Sequence, residues 1–522
     1  MSISLAGREY KTLIQPIDEY NRALIANVHP LDWVNPQPAP LYDLVVIGAG
    51  TAGLVVAAGA AGLGLGLKVA LIEKNLMGGD CLNVGCLPSK CVIRSARVVA
   101  DMRDAAAFGV NPPEQIDIDF RAVMERMRKI RAGISDHDSA ARFRNLGVDV
   151  FFGSAQFIDK NAIAVNEQQL HFKKAVIATG ARAATPEITG LVEAGYLTNE
   201  TVFSLSDRPK RLAVIGGGPI GCELAQAFHR LGCEVTLLHK NPHLLDREDA
   251  DAAEIVQQKF MDEGINLILG CTIVKVERTN TGKLIDYQHF ADPHQADPHQ
   301  IEVDEILIGA GRSPNVEGLN LESVGVNYDK DHGVQVNDYL ETTNPRIYAA
   351  GDICMNWKFT HAADAAARIV IKNTLFSPFG LGRSKLSDLV MPWVTYTDPE
   401  IAHVGLYAAE AHAQGLTTDE IKIPFSSVDR AIYDGESNGF VKILHQRGSD
   451  RILGATIVAR HAGEMISEIT LAIASKQGLN MLSRVIHSYP TQADAIKKAA
   501  DAYRKTLLTP RTQSLLKFLT KF

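Results

Sequence analysis

The chain has 522 residues, 46% of them hydrophobic and 22% charged, with a formal charge of −7 and seven cysteines. That is enough chain for several packed domains; the slight acidity excludes a nucleic-acid-binding footprint, and the cysteine count excludes a secreted disulfide scaffold. No apolar run approaches the roughly 18–20 residues needed to cross a bilayer, and the opening residues lack the apolar core of a signal sequence, so no integral membrane segment and a cytoplasmic location are expected.

Residues 1–40 read as an extension. Leu13, Ile14, Ile17, Leu24 and Ile25 stand at helical spacing, and the Pro-rich "HPLDWVNPQPAPLY" then reads as an extended linker. "YDLVVIGAGTAGLVVAAGAAGLGLGLKVALIEK" follows with strand, glycine turn, alanine-rich helix and second strand, one βαβ unit. Gly48, Gly50 and Gly53 fit G-x-G-x-x-G, whose glycines permit a tight turn, backbone approach to a pyrophosphate and close helix–strand contact. Glu73 closes the unit twenty residues beyond Gly53, where an acid binds ribose hydroxyls.

"GGDCLNVGCLPSK" (78–90) comes next, with Cys81 and Cys86 five apart in a glycine-flanked turn that leads into a helix. A helix N-terminus lowers a thiol's pKa. "KKAVIATGA" (173–181), with Gly180, reads as a buried strand ending in a turn. "RLAVIGGGPIGCELAQAFHRLGCEVTLLHKN" then repeats the βαβ grammar, with Gly216, Gly218 and Gly221 as its fingerprint. The strand-end position holds His239 in place of an acid, followed by Lys240, with Arg247 nearby; this favours a 2′-phosphate and hence NADPH, with NADH as the alternative. "EILIGAGRSPN" (305–315), with Gly311, and "RIYAAGDI" (346–353) are further strand-to-glycine endings, and Asp352 is suited to a ribose or sugar-alcohol hydroxyl. The pentad repeat "ADPHQADPHQ" (291–300) reads as a solvated hairpin loop, not a histidine metal site.

From about 390 short alternating strands such as "FVKILHQ" and "ILGATIVA" precede helices at 461–478 and 491–507, a separate α+β unit. The C-terminal "SLLKFLTKF" is amphipathic and basic; a packed or frayed terminal helix is expected in preference to a membrane-contacting one. A disulfide between two nucleotide sites is where a flavin passes electrons onward, so Cys81 and Cys86 read as a redox dithiol. Cys91 reads as a buried helical thiol, and Cys222, Cys233, Cys271 and Cys354 as inert.

With "ATGA", "GAGRSPN", "YAAGDI" and "MPWVTYTDPEIAHVG" added to these motifs, residues 42–508 resemble the pyridine nucleotide–disulfide oxidoreductase family. The resemblance implies an α/β fold: two Rossmann-like three-layer domains, for FAD and for NAD(P), plus a C-terminal α+β dimerisation domain. The domains would be an extension (1–40), a discontinuous FAD-binding domain (41–190 and 315–388), an NAD(P)-binding domain (191–314), an interface domain (389–508) and a tail (509–522). It also implies a homodimer whose active site is completed by the second subunit. By that likeness Cys81 is the interchange thiol, Cys86 the flavin-proximal thiol, and Lys90 a cation near the flavin that pairs with Glu223. His361 falls on the helix that approaches the flavin, with no catalytic duty required of it.

Members that reduce organic disulfides carry a histidine directly before Pro-Thr and a glutamate five residues beyond it. In "HSYPTQADA" (487–495) those places hold Tyr489 and Asp494. A phenol with an ordinary pKa of about 10 is a poor base for thiol exchange, and His487 points elsewhere along the turn. The pattern is closer to the family's mercuric reductases, where a tyrosine stands near the metal ion; Cys81, Cys86 and Tyr489 would then touch Hg(II) transiently as substrate. Two departures stand against this: no cysteine follows Cys354, and Pro219 replaces a tyrosine that shields the flavin. The alternatives are a lipoamide- or glutathione-type disulfide reductase and a redox-sensing flavoprotein.

Overall fold

A computed structural model describes residues 14–290 and 298–521, together with two short strand pieces at Ser4–Leu5 and Arg8–Glu9. Leu13 and most of the pentad repeat lie outside the described residues. The repeat's flanks, Lys283–His289 and His299–Val303, pair antiparallel.

The first βαβ segment builds a parallel sheet. Its order is Val148–Phe152, Val69–Glu73, Tyr42–Ile47, Gln168–Ile177 and Ile347–Ala349. These strands are apolar on both faces because helices cover one side and a second apolar cluster fills the other. Strand order reverses between Tyr42–Ile47 and Gln168–Ile177, and ligands of such sheets bind in the crevice at that point. Gly48 lies there at φ +101°; a Cβ on it would stand 2.4 Å from the Ala178 carbonyl oxygen, so no side chain fits. Helix Thr51–Ala61 follows and packs against Thr360–Leu375.

The second unit repeats the plan with Asn266–Leu269, Glu234–His239, Arg211–Ile215 and Glu305–Ile308, all parallel. Its reversal lies between Arg211–Ile215 and Glu305–Ile308, where Gly216 adjoins Gly309. An antiparallel pair, Ala181–Ala183 with Arg312–Pro314, joins the two units.

The C-terminal unit is a five-stranded antiparallel sheet: Pro392–Thr395, Glu400–Gly405, Ile452–Ala459, Phe440–Gln446 and Thr418–Pro424. Helices Ala462–Ala474 and Asp494–Thr506 pack on it. The expected in–out alternation is absent from burial, since Phe440–His445 is buried throughout. The physical reason is that both faces are covered: Val441 and Ile443 face one apolar cluster, Phe440 and Leu444 enter two others, and the Lys442 ammonium between them is held by Asp249 at 2.7 Å and Asp251 at 2.8 Å.

The extension's helix is shorter than its apolar spacing suggests, Glu19–Val28 with Asp18 as N-cap. Every residue of the terminal helix Pro510–Leu519 is exposed. Among the described residues no helix is long and apolar enough to cross a membrane.

Removing one partner from a largely buried ion cluster strands the remaining charges. Because Asp249 and Asp251 keep some solvent contact, Lys442→Ala is expected to cost about 2 kcal/mol, measurable by denaturant unfolding, whereas Lys422→Ala at the exposed edge of the cluster costs under about 1 kcal/mol.

Candidate active site

Two turns bring the cysteines together. Gly78, left-handed at φ +89°, starts the short helix Gly79–Asn83 that carries Cys81, and Gly85 precedes helix Cys86–Asp104. A Cβ at Gly79 would lie 2.6 Å from the Gly50 Cα, so the first glycine loop and the thiol turn touch backbone to backbone. The Cys81 and Cys86 thiols are within hydrogen-bond reach of each other. Cys86, the first residue of a nineteen-residue helix, also contacts the Thr360 hydroxyl at 3.3 Å.

Cys86 is the acidic member of the pair. The hydrogen bond from Cys81 lowers it most, and although burial opposes this, Thr360 and the Lys90 ammonium bring it to about 6. Cys81 moves up, chiefly because Cys86 holds the shared proton there. Lys90 Nζ meets Glu223 Oε2 at 2.8 Å and lies 4.4 Å over the ring of Tyr396. Burial opposes the charge on Lys90, yet the Glu223 carboxylate raises its pKa, so it remains a cation. Glu223 Oε1 accepts from the Tyr396 N–H at 3.0 Å.

The residues around the first crevice fit a flavin dinucleotide. Glu73 Oε2 accepts from the Ala49 N–H and Oε1 from the Asn75 N–H, each at 2.7 Å, which leaves further lone pairs for ribose hydroxyls. Gly53 sits under Gly48 with no room for a side chain, and Gly180 closes the adjacent strand-end turn at φ +67°. Asp352 pairs with Arg312 at 3.4 Å, and Arg312 also binds Asp80, beside Cys81. Gly311 precedes that arginine.

The second crevice copies the first with one change. His239 takes the place of Glu73, and its Nδ1 accepts from the Gly217 N–H at 3.0 Å, as Glu73 accepts from Ala49. Its Nε2 therefore carries the proton and donates to Asp246 at 3.1 Å. Gly221 packs on Gly216, while a Cβ at Gly218 would meet nothing within 4 Å, so the loop is open to a pyrophosphate. Lys240 and Arg247 are both exposed.

Tyr489, Asp494 and His487 lie elsewhere, in the C-terminal unit. Tyr489 is 70% exposed and donates to Asp429 Oδ2 at 2.8 Å, with the Tyr433 hydroxyl 3.4 Å away. Asp494 is not its partner; it stands in the first turn of its helix and pairs with Lys498 at 3.3 Å. His487 is turned inward, its Nε2 2.9 Å from Glu468 and its side chain 6% exposed. His361 donates to the Pro392 carbonyl at 2.7 Å, and its neighbour Thr360 makes the thiol contact. Cys222, Cys233 and Cys271 are buried and Cys354 partly so; burial raises all four thiols.

Sequence reasoning missed Thr360, Tyr396, Asp429, Tyr433 and the His239–Asp246 pair. Only Thr360 carried a signal, as the first residue of the helix that contains His361.

Residues 42–367 match the family described as pyridine nucleotide-disulphide oxidoreductase, and 391–500 match its dimerisation domain. The chain belongs to the pyridine nucleotide-disulphide oxidoreductase family. Family members are FAD-dependent and use NAD(P)H. A mercuric reductase of Lysinibacillus sphaericus is 33% identical over 96% of this chain and 90% of its own length. A dihydrolipoyl dehydrogenase of Thermus scotoductus is likewise 33% identical, over 89% and 98%. Among solved structures, the HOCl-induced flavoprotein disulfide reductase RclA of Escherichia coli superposes with a TM-score of 0.77 at 26% identity, covering 88% of this chain and 99% of its own. The fold of this chain is thus that of the flavoprotein disulfide reductases, and the family's name alone leaves the acceptor open.

In reduced protein the first proton should leave the cysteine pair near pH 6, with the charge on Cys86. Alkylation by iodoacetamide should therefore rise through pH 6, not through the ordinary thiol range of about 8.5. Because Lys90 lowers Cys86, Lys90→Met should move that midpoint upward, as read by mass spectrometry of the alkylated peptides.

Proposed function

We propose that this protein is a homodimeric FAD enzyme that uses NADPH to reduce a soft metal ion at Cys81 and Cys86, with Hg(II) as substrate: NADPH + Hg²⁺ → NADP⁺ + Hg⁰ + H⁺. The observation that carries the reading is the pairing of an exposed Tyr489 with an inward-turned His487. Disulfide exchange needs a base near neutral pH to manage the departing thiol's proton, and His487 is committed to Glu468. Thiolates suit a soft cation, and its reduction leaves no thiol to protonate.

Gly48, Gly50, Gly53, Glu73, Gly180, Gly311 and Asp352 would hold FAD, which when bound supplies the two-electron relay between nicotinamide and the Cys81–Cys86 disulfide. Lys90, fixed by Glu223, would steady negative charge beside the pair. Cys86 would serve as the thiolate and Cys81 would meet the acceptor. Exposed Ile432, Tyr433, Ile486 and Tyr489 would face a second copy, whose dithiol Tyr489 would approach, with Asp429 as the phenol's acceptor.

Gly216, Gly218 and Gly221 would cradle the pyrophosphate of NADPH. Asp246 is engaged by His239 and by Asn241 Nδ2 at 2.7 Å, while Lys240 and Arg247 remain exposed and would meet a 2′-phosphate. Metal binding has a precedent in this fold, since RclA of Escherichia coli is also known as a Cu(II) complex.

The test is NADPH oxidation by FAD-loaded protein with Hg(II) in excess small thiol, lipoamide or oxidised glutathione. Turnover with Hg(II), lost in Cys81→Ser, is the expected result; turnover confined to a disulfide would overturn the metal reading. Replacing both Lys240 and Arg247 by Ala should raise KM for NADPH about tenfold, the worth of one charge-assisted contact, and leave KM for NADH nearly unchanged.

A further inference from the structure

Residues 16–36 lie outside the chemistry above, yet they are anchored beside it. The extension helix Glu19–Val28 packs on helix Phe120–Ile134, with Asn21, Leu24 and Val28 at 0% exposure. A buried asparagine is an odd choice for an apolar face unless its polar atoms are used. Asn21 Nδ2 donates to the Pro16 carbonyl at 2.7 Å, and Oδ1 accepts from Arg131 Nη2 at 2.7 Å. Arg131, 2% exposed, sends its other terminal nitrogen to the Asn83 carbonyl at 2.6 Å, two residues past Cys81.

Asn83 closes the thiol turn from within, its Nδ2 donating to the carbonyls of Met77 at 3.0 Å and Gly79 at 2.9 Å. A second route reaches the start of the same turn. The Val28 carbonyl accepts from the Met77 N–H at 3.1 Å, and His29 Nδ1 bonds the Asn75 carbonyl. Asp18 joins Arg128, close to Arg131 on the same helix, at 2.5 Å. The turn that carries Cys81 is thus gripped before and after the thiol by a segment 46 or more residues earlier in the chain.

We infer that residues 16–36 act as a latch on the dithiol, with Asn21 and Arg131 as positioning residues that hold the Cys81 turn against Cys86 and so govern how readily the pair reacts. The inference rests on the redox-dithiol reading above. Its physical basis is geometric: the Asn83 carbonyl after the thiol is held by Arg131, which Asn21 orients, and the Met77 N–H and Asn75 carbonyl before it are held by Val28 and His29. The other groups facing the pair are Thr360, Lys90 on the same helix, Glu223, Tyr396, and Asp138 beside Cys81. None of these is bonded to Asn21, so a change made at Asn21 reaches the pair through Arg131 and the turn.

The experiment uses full-length, FAD-loaded protein reduced with dithiothreitol, in which iodoacetamide alkylation of Cys81 and Cys86 is followed against pH by mass spectrometry. Asn21→Ala is expected to raise the midpoint by about one pH unit and to speed Cys81 alkylation about tenfold. Asn21→Asp, which keeps an acceptor for Arg131, should restore both. Asn35→Ala cuts a different anchor of the extension, the paired bonds to Phe152 at 2.8 and 3.0 Å, and should change neither. An unchanged midpoint in Asn21→Ala, or an equal shift in Asn35→Ala, would overturn the latch. Hydrogen exchange on the unmutated protein gives an independent check, since residues 19–28 and 75–83 should open together; free exchange of the extension beside a protected thiol turn would also overturn it. If NADPH fails to reduce the unmutated pair at all, the dithiol reading falls, whatever Asn21 does.

Discussion

Two stretches of chain distant from its own helix, Pro219–Arg230, converge on the Glu223 carboxylate. One oxygen takes the Lys90 ammonium from the helix that begins at Cys86, and the other takes the Tyr396 N–H from the C-terminal unit. The face of helix Pro219–Arg230 that carries Glu223 continues the contact: Gln226 exchanges hydrogen bonds with the Asp398 backbone at 2.8 and 2.9 Å, and Arg230 reaches the Asp398 carboxylate at 2.9 Å. Positions 223, 226 and 230 are i, i+3 and i+7, so one stripe of one helix aligns all three units. A polar stripe at such a junction fixes register more tightly than an apolar one, because each donor has one acceptor at one distance. The proposed chemistry needs that precision, since the dithiol with its cation and the two crevices sit on different segments.

The two crevices also show how one backbone plan accommodates different ligands. In each, the N–H after the first glycine is accepted by the last side chain of the second strand, Glu73 in one and His239 in the other. The loop conformation is preserved because both groups present a lone pair at the same place. What differs is the group at that strand end: a carboxylate in the first crevice, and an imidazole hydrogen-bonded to Asp246 in the second.

Much of this was legible in the residues. The glycine fingerprints, the closing acid and the CxxxxC turn act through local backbone geometry, which spacing along the chain encodes directly. The Lys90–Glu223 pair was reached through family resemblance and stands at 2.8 Å. Contacts between residues distant in sequence were not legible. Asp494 occupies the place of the family's glutamate, but helix Asp494–Thr506 turns its side chain to Lys498, and Asp429, sixty residues before Tyr489, meets the phenol. The alternation in "FVKILHQ" suggested a solvent face because nothing local reveals that Asp249 and Asp251 wait beyond it for Lys442.

The extension's contacts have a consequence for the order of assembly. Asn21 bonds Arg131 across 110 residues, and Trp33 and Asn35 bond Val150 and Phe152 across 117. During synthesis residues 16–36 are made well before the helix and strand they grip, and they cannot be fixed until both have emerged. Closing loops of that span carries a large entropic cost that only the packed sheet repays. A segment translated ahead of the first nucleotide-binding strand is therefore among the last parts of its neighbourhood to be secured, and the cysteine turn that it grips reaches its final shape only afterwards.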